Sequence, residues 1–280
     1  MKSLILLLLL SSSNLIANNW YTDLEAAQNA AIASNKLILV DFWATWCGPC
    51  KAMDRDVWSD QEIQKIMQNY IPLRVDFDTQ RQLNMQYGVK GIPYVVIMDP
   101  NGKVIHNNLG YTNKTETMRV LQKYKLNLSF LQVESAYYKR KPSYATALRL
   151  AQKYLDYSLY LDKDLRRPIL NITEEYLEEA QELLDEEQAN YAMISQKLDL
   201  LLTNVDLYQG NYRKVERFLK KKVDEEELRK YNWGLYTFLN YCMAIENGEE
   251  AQIDKWTVEL DKLKNASVYK TRIKNLQETS

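Results

Sequence analysis

Cys47 and Cys50, in the stretch "DFWATWCGPCKAM", lie two residues apart in a chain of 280 residues that holds only three cysteines. Such a pair can bind a metal, staple a loop or cycle between dithiol and disulfide. A zinc centre wants about four ligands. Beyond the pair the chain offers only Cys242 and a single histidine, His106, at no metal-binding spacing, so no metal is expected. A purely structural bridge across two residues closes a loop too short to remove much unfolded-state entropy. Redox cycling is the favoured reading.

That chemistry needs one sulfur held as a thiolate, and the flanking residues are of the types that do this. Leu37 to Trp43, "LILVDFW", is a β-branched and aromatic run of strand length with no alternation, as expected of a strand buried on both faces. Gly48 and Pro49 then open "CKAMDRDVW", which reads as a helix. Cys47 therefore falls at a helix N-terminus, where unpaired N–H groups favour a thiolate, and Cys50 lies about one turn further in and is expected to be the more buried sulfur. Asp41 interrupts the strand. A carboxyl inside such a run is costly unless used or paired, and burial raises its pKa, which suits a proton acceptor for Cys50. The alternative is an edge-strand acid facing water. Trp43 and Trp46 flank the loop as packing or as an apolar platform for a substrate chain, with Trp46 the better contact candidate and Trp43 the more structural.

"GIPYVV" places Pro93 directly before a β-branched run, where a cis Ile92–Pro93 bond would supply the turn. "DPNGKV", Asp99 to Val104, is a hairpin signal. His106 follows it in the second strand, where a lone histidine carries no assigned role. Thr22 to Ser34 has Leu24, Ala27, Ala31 and Ile32 at helical spacing, with Thr22 or Asp23 as cap.

Taken in order, "VDFWATWCGPCK", "IPLRVDFD", "YGVKGIPYVVIMDPNGKV" and Gly110 resemble thioredoxin from Asn18 to about Lys125. The segment "KAMDRDVWSDQEIQKIMQNYIPLRVD" is most similar to periplasmic thioredoxin-like modules, including the C-terminal domain of membrane electron-transporting disulfide reductases. The resemblance implies an α/β thioredoxin-like domain with a central mixed sheet flanked by helices. It also implies thiol-disulfide exchange by Cys47 and Cys50 with Asp41 in support, and substrate contacts at Trp46, Gly48, Pro49, Ile92 and Pro93, where the matching proline is cis and Ile92 offers backbone to an added peptide strand. Two positions depart from the pattern. Arg55 stands where thioredoxins usually carry a helix-kinking proline, so the helix is expected to run straighter or to break before Ser59, the expected cap of the next helix. Arg74 replaces a lysine near the buried acid, and a permanently charged guanidinium would hold Asp41 more firmly ionised.

The first residues, "MKSLILLLLLSSSNLIANN", have a basic start, an apolar core and small residues near Ala17, the pattern of a signal peptide over residues 1–17. The serines break the apolar run before the roughly 20 residues needed to span a bilayer. Export to a periplasmic or otherwise extracytoplasmic space follows. No glycine-rich dinucleotide fingerprint and no second CxxC occur, so no cofactor is expected and electrons must come from a protein donor, a membrane-bound one among the candidates. A formal net charge of −1 argues against nucleic-acid binding.

Composition changes near Lys125. Residues 18–125 hold most of the glycines and prolines; residues 126–280 are long Leu-, Tyr-, Glu- and Lys-rich stretches that read as amphipathic helices. "YYKRKPSYATALRLAQKYL", "LYQGNYRKVERFLKKKV" and "IENGEEAQIDKWTVELDKL" each pair two helices across a polar break, similar to a degenerate tetratricopeptide array. This all-α, helical-hairpin domain could bind peptides as a solenoid, cover the sheet or mediate dimerisation. Cys242 sits among apolar neighbours and reads as a buried free thiol. The sequence thus describes an exported oxidoreductase that reduces disulfides of client proteins. A disulfide oxidase or isomerase, or a client-binding chaperone-like module, is the alternative. The client, the donor and the oligomeric state are not readable.

Overall fold

The computed structural model describes residues 20–278. The signal-peptide reading over residues 1–17 therefore lies outside the described residues. Helix α1 (Leu24–Ser34) is capped by Asp23, whose carboxylate accepts from the Ala26 N–H at 2.7 Å. It leads into β1 (Leu37–Trp43), the strand read from the apolar run, buried along its length up to a half-buried Trp43. Helix α2 (Gly48–Met53) starts after Cys47, contains Cys50 and passes without a break into a π-helical turn, Asp54–Trp58. This turn takes the place of the proline kink: Arg55 is exposed and pairs with Asp56, and the wider winding turns the chain without losing an N–H. Ser59 is not the next cap. Asp60 is, accepting from the N–H groups of Glu62 and Ile63 at the head of α3 (Gln61–Met67), while the Ser59 hydroxyl donates back to the Arg55 carbonyl.

Strand β2 (Tyr70–Asp76), helix α4 (Arg81–Gln86), strands β3 (Tyr94–Met98) and β4 (Val104–Leu109) and helix α5 (Lys114–Lys123) complete this part. The sheet order is β2-β1-β3-β4; β2 runs parallel to β1, and β3 and β4 are antiparallel to their neighbours. The register fixes two poles. Phe42 pairs with Tyr94, so the end of β1 that feeds the cysteines lies beside Pro93, whereas Ile38 pairs with Met98, so the Asp99 hairpin lies at the opposite end. At about 3.3 Å per residue, seven residues of β1 separate the poles by about 20 Å. Among the described residues, Ile38, Val40, Phe42, Val96 and Met98 pack under α1, and Leu37, Leu39 and Ile97 pack with Met53, Val57, Ile63 and Met67 on the other face.

Past Tyr124 the chain is helical: α6 (Gln132–Arg140), α7 (Tyr144–Ser158), α8 (Lys163–Glu182), α9 (Tyr191–Tyr208), α10 (Tyr212–Lys221), α11 (Trp233–Asn247), α12 (Glu250–Asp261) and α13 (Ala266–Glu278). The three polar breaks read from sequence are the turns between α6 and α7, α9 and α10, and α11 and α12. Architecture changes near residue 125, but the core does not stop there: Leu37, Leu39, Ile97 and Ile105 belong to one apolar cluster with Leu150, Tyr154, Ile169 and Tyr176.

The hairpin joins the two parts. Asp99 is fully buried; one carboxylate oxygen accepts from the Asn101 and Lys103 N–H groups, both at 2.9 Å, and the other from the hydroxyls of Tyr154 on α7 at 2.9 Å and Tyr176 on α8 at 2.6 Å. Lys103 pairs with Glu179 at 3.0 Å, and Lys139 on α6 donates to Gln28 on α1. Burial pushes the Asp99 carboxyl up despite these four bonds. No helix among the described residues is long and apolar enough to cross a membrane.

Candidate active site

Cys47 and Cys50 are joined as a disulfide, with their Cα atoms 5.3 Å apart. Cys47 caps α2, and its sulfur accepts from the Cys50 N–H at 3.1 Å, the local geometry expected of a sulfur that faces a helix N-terminus. The expected difference in exposure is not found: the two residues are 3 % and 2 % exposed. Bonded to one another, both sulfurs are shielded by Ala44 and by the half-buried Trp43, Phe77 and Ile92 packed around them. Gly48 and Pro49 are exposed at the helix head.

The Ile92–Pro93 bond is cis. Pro93 is buried, and its carbonyl accepts from the Gly110 N–H at 2.8 Å, which ties the loop to the end of β4. Ile92 is half-buried against the cysteines, and no backbone–backbone hydrogen bond engages it among the described residues. Trp46 is 63 % exposed, its indole N–H donating to Asp78 at 2.9 Å and its ring meeting Phe77 edge-on. Phe77 and Asp78 were not singled out in the sequence. A signal was present, since "VDFD" ends the strand that runs parallel beside "VDFW" and so delivers its last residues to the same pole.

Asp41 is 1 % exposed, on β1 between Arg74 of β2 and Val95 of β3. Arg74 reaches inward: its Nε and a terminal nitrogen lie 3.2 and 3.1 Å from one Asp41 oxygen. Its guanidinium pulls the Asp41 carboxyl down, the direction expected of a fixed charge there compared with a titratable amine, but that pull is outweighed. Burial dominates and raises the carboxyl from 3.8 to about 6, against the pull of Arg74. One reason is that Arg74 is shared, since it also donates to Asp54 on the π turn at 2.6 Å, and the charge of Asp54 pushes the Asp41 carboxyl up further. The guanidinium is fixed by Trp43 and Trp20, whose ring centroids lie 4.4 and 5.4 Å from its central carbon. Trp43 thus serves the acid, and Trp46 faces outward. His106 stacks on Tyr124 away from this cluster, and Cys242 is buried on α11 with its thiol pushed up by burial. Among the described residues no group of three or more His, Cys, Asp or Glu could hold a metal ion.

Residues 19–100 match a family model described as thioredoxin-like. The thioredoxin of Listeria monocytogenes is 35 % identical over 92 residues, which is 32 % of this chain and 85 % of that protein. The thioredoxin of Mycoplasmoides gallisepticum is 28 % identical over 98 residues, 35 % of this chain and 94 % of that one. Among solved structures, the oxidised C-terminal domain of Neisseria meningitidis DsbD aligns with a TM-score of 0.34 at 23 % identity, covering 38 % of this chain and 99 % of the domain. With a relative this similar along most of its length, and a bonded cysteine pair at the head of α2, the chain belongs to the thioredoxin family and is a thiol-disulfide oxidoreductase.

Proposed function

We propose that the protein is exported and reduces disulfides in client proteins. The observation that carries this reading is the Cys47–Cys50 pair at the head of α2, bordered by the cis Ile92–Pro93 loop and by exposed Trp46, Gly48 and Pro49, which form a rim for a peptide chain beside the shielded sulfurs. The Cys47 thiolate attacks a client disulfide; a mixed disulfide forms, and the client's other sulfur leaves as a thiolate. Asp41 takes the proton of the Cys50 thiol, and the new Cys50 thiolate attacks the Cys47 sulfur. The Cys47–Cys50 disulfide closes, the client's remaining sulfur leaves as a thiolate, and two electrons have passed to the client. The bonded state described above is the product of this half-reaction. A protein donor must then return two electrons, and a membrane-bound reductase fits an exported acceptor. Ile92, whose backbone makes no backbone–backbone hydrogen bond among the described residues, is suited to pair with an extended client segment as an added strand.

Direction is supported by Gly48 and Pro49 between the cysteines, which resemble the reducing end of the family. The test is the equilibrium of the pair against glutathione, read from Trp46 fluorescence. A potential near that of thioredoxin, about −270 mV, supports reduction, whereas one above about −180 mV makes the protein an oxidase or isomerase.

A further inference from the structure

A cavity of about 270 Å³ lies where the first turn of α8, the end of α9, the turn into α10 and the last turns of α13 meet. It is remote from the cysteines. Ten residues of α8, about 15 Å, separate Arg166 from Tyr176 at the hairpin, and the length of the sheet lies beyond that. The walls are apolar, from Leu170, Leu207 and the ring of Tyr208, yet three cations line it: Lys163, Arg166 and Arg167.

Arg166 is the unusual member. It is 4 % exposed, and the only hydrogen bonds of its guanidinium among the described residues are to the Ser158 and Leu161 carbonyls, at 3.2 and 3.3 Å. Those bonds close the end of α7 and use two of the five N–H donors of a guanidinium. No carboxylate lies within ion-pair distance of Arg166 among the described residues, and burial lowers its pKa with only the Tyr208 phenol pulling the other way. A buried charge left in this state is costly, and an anion is what it lacks. Lys163 and Arg167 are exposed at the rim and likewise form no ion pair among the described residues. Asp164 in the same turn bears on Tyr124 instead. Through Gly210 and Tyr212 the cavity opens onto a shallow basin lined by Arg213 and Arg217, both exposed; Lys214 there is already taken by Asp206 at 2.9 Å.

We propose that this cavity binds a phosphate-bearing ligand with a compact apolar body, the phosphate on Arg166, Arg167 and Lys163 and the body against Leu170 and Leu207. Three cations around one small cavity exceed what a single carboxylate would neutralise, and guanidinium groups match the geometry of phosphate oxygens. The chemistry is shared by free phosphate esters and by the head of an anionic phospholipid.

The full-length protein is titrated with phenyl phosphate by calorimetry at low ionic strength. In parallel it is sedimented with phosphatidylglycerol vesicles, with phosphatidylcholine vesicles as control. Saturable binding in either arm, weakened tenfold or more by the double substitution Lys163→Glu and Arg167→Glu, supports the site, and the arm that responds identifies the source. Both residues are exposed, so the variant keeps its fold and its disulfide reductase activity. Lys221→Glu, an exposed cation outside the cavity, is the control and leaves binding within twofold. Absence of saturable binding in both arms overturns the proposal, as does an equal loss in the Lys221→Glu variant, which would reduce the effect to general positive charge.

Discussion

Replacing Asp41 by asparagine tests whether the acid beneath the cysteines is retained against the interest of stability. Its carboxyl is raised by burial from 3.8 to about 6. In the unfolded chain it ionises near the ordinary value. Between about pH 4 and about 6 the folded state therefore holds a proton that the unfolded state has lost, and stability falls as pH rises through this window. Above about pH 6 the whole penalty is present. At roughly 1.4 kcal/mol per pH unit it comes to about 3 kcal/mol. The asparagine side chain carries no charge, and Arg74 keeps Asp54 as its partner at 2.6 Å. Because the buried amide must still be hydrogen-bonded, the gain at pH 7 is expected at about 2 to 3 kcal/mol, shrinking towards zero near pH 4. Urea unfolding of the oxidised proteins at several pH values measures it. A variant less stable than the parent at pH 7, or an advantage that does not shrink in acid, would refute the account of Asp41 as a buried, disfavoured carboxylate.

The same pKa predicts that resolution of a mixed disulfide slows below about pH 6, where Asp41 is already protonated, and that the Asp41→Asn protein lacks this acid limb; single-turnover reduction followed by stopped-flow fluorescence checks it. Cys50→Ser should trap clients as mixed disulfides on non-reducing gels while Cys47→Ser does not, and the reverse pattern would exchange the two roles. Tyr176→Phe removes the 2.6 Å hydrogen bond to buried Asp99 and should cost about 1 to 3 kcal/mol, seen as a lower urea midpoint in a transition that sheet and helices share. Ending the chain after Lys125 strips Tyr154 and Tyr176 from Asp99 and uncovers Ile105, so the shortened protein should aggregate or unfold at markedly lower denaturant; a fragment as stable as the full chain would separate the two parts.

The redox pair was legible because its chemistry depends on local order: a strand, a turn and a helix head within a few residues, each signalled by its own residue types. The same locality made β1 readable to its ends. What could not be read depends on contacts between segments distant in sequence. Arg55 shows only that a proline is missing; that the helix answers with a π turn depends on how Val57 and Trp58 must be placed in the core. Arg74 could be matched to Asp41, but its division between Asp41 and Asp54, with the consequence that burial wins at Asp41, needed the three-dimensional arrangement. "DPNGKV" announced a hairpin correctly and concealed that its aspartate faces two tyrosines 55 and 77 residues further on. At Tyr154 and Tyr176, whose rings stack on one another, packing and hydrogen bonding are the same contact.

The hairpin contact also bears on what the helices can do for the chemistry. Tyr154 and Tyr176 meet the sheet at the Asp99 pole, about 20 Å along β1 from the end that carries the cysteines. A helix anchored there cannot lend a side chain from that contact to a peptide docked at Ile92, and the rim of Trp46, Phe77 and Ile92 is built without it. The two tyrosine hydrogen bonds to one buried carboxylate, itself held by two N–H groups of the hairpin and with Lys103 tied to Glu179 beside it, resist sliding and rotation together, because any displacement leaves a buried polar group unpaired. The helical part is therefore held at a fixed distance and orientation behind the redox site. A partner or surface engaged by the far end of α8 would set how the cysteines are presented, without needing to touch them.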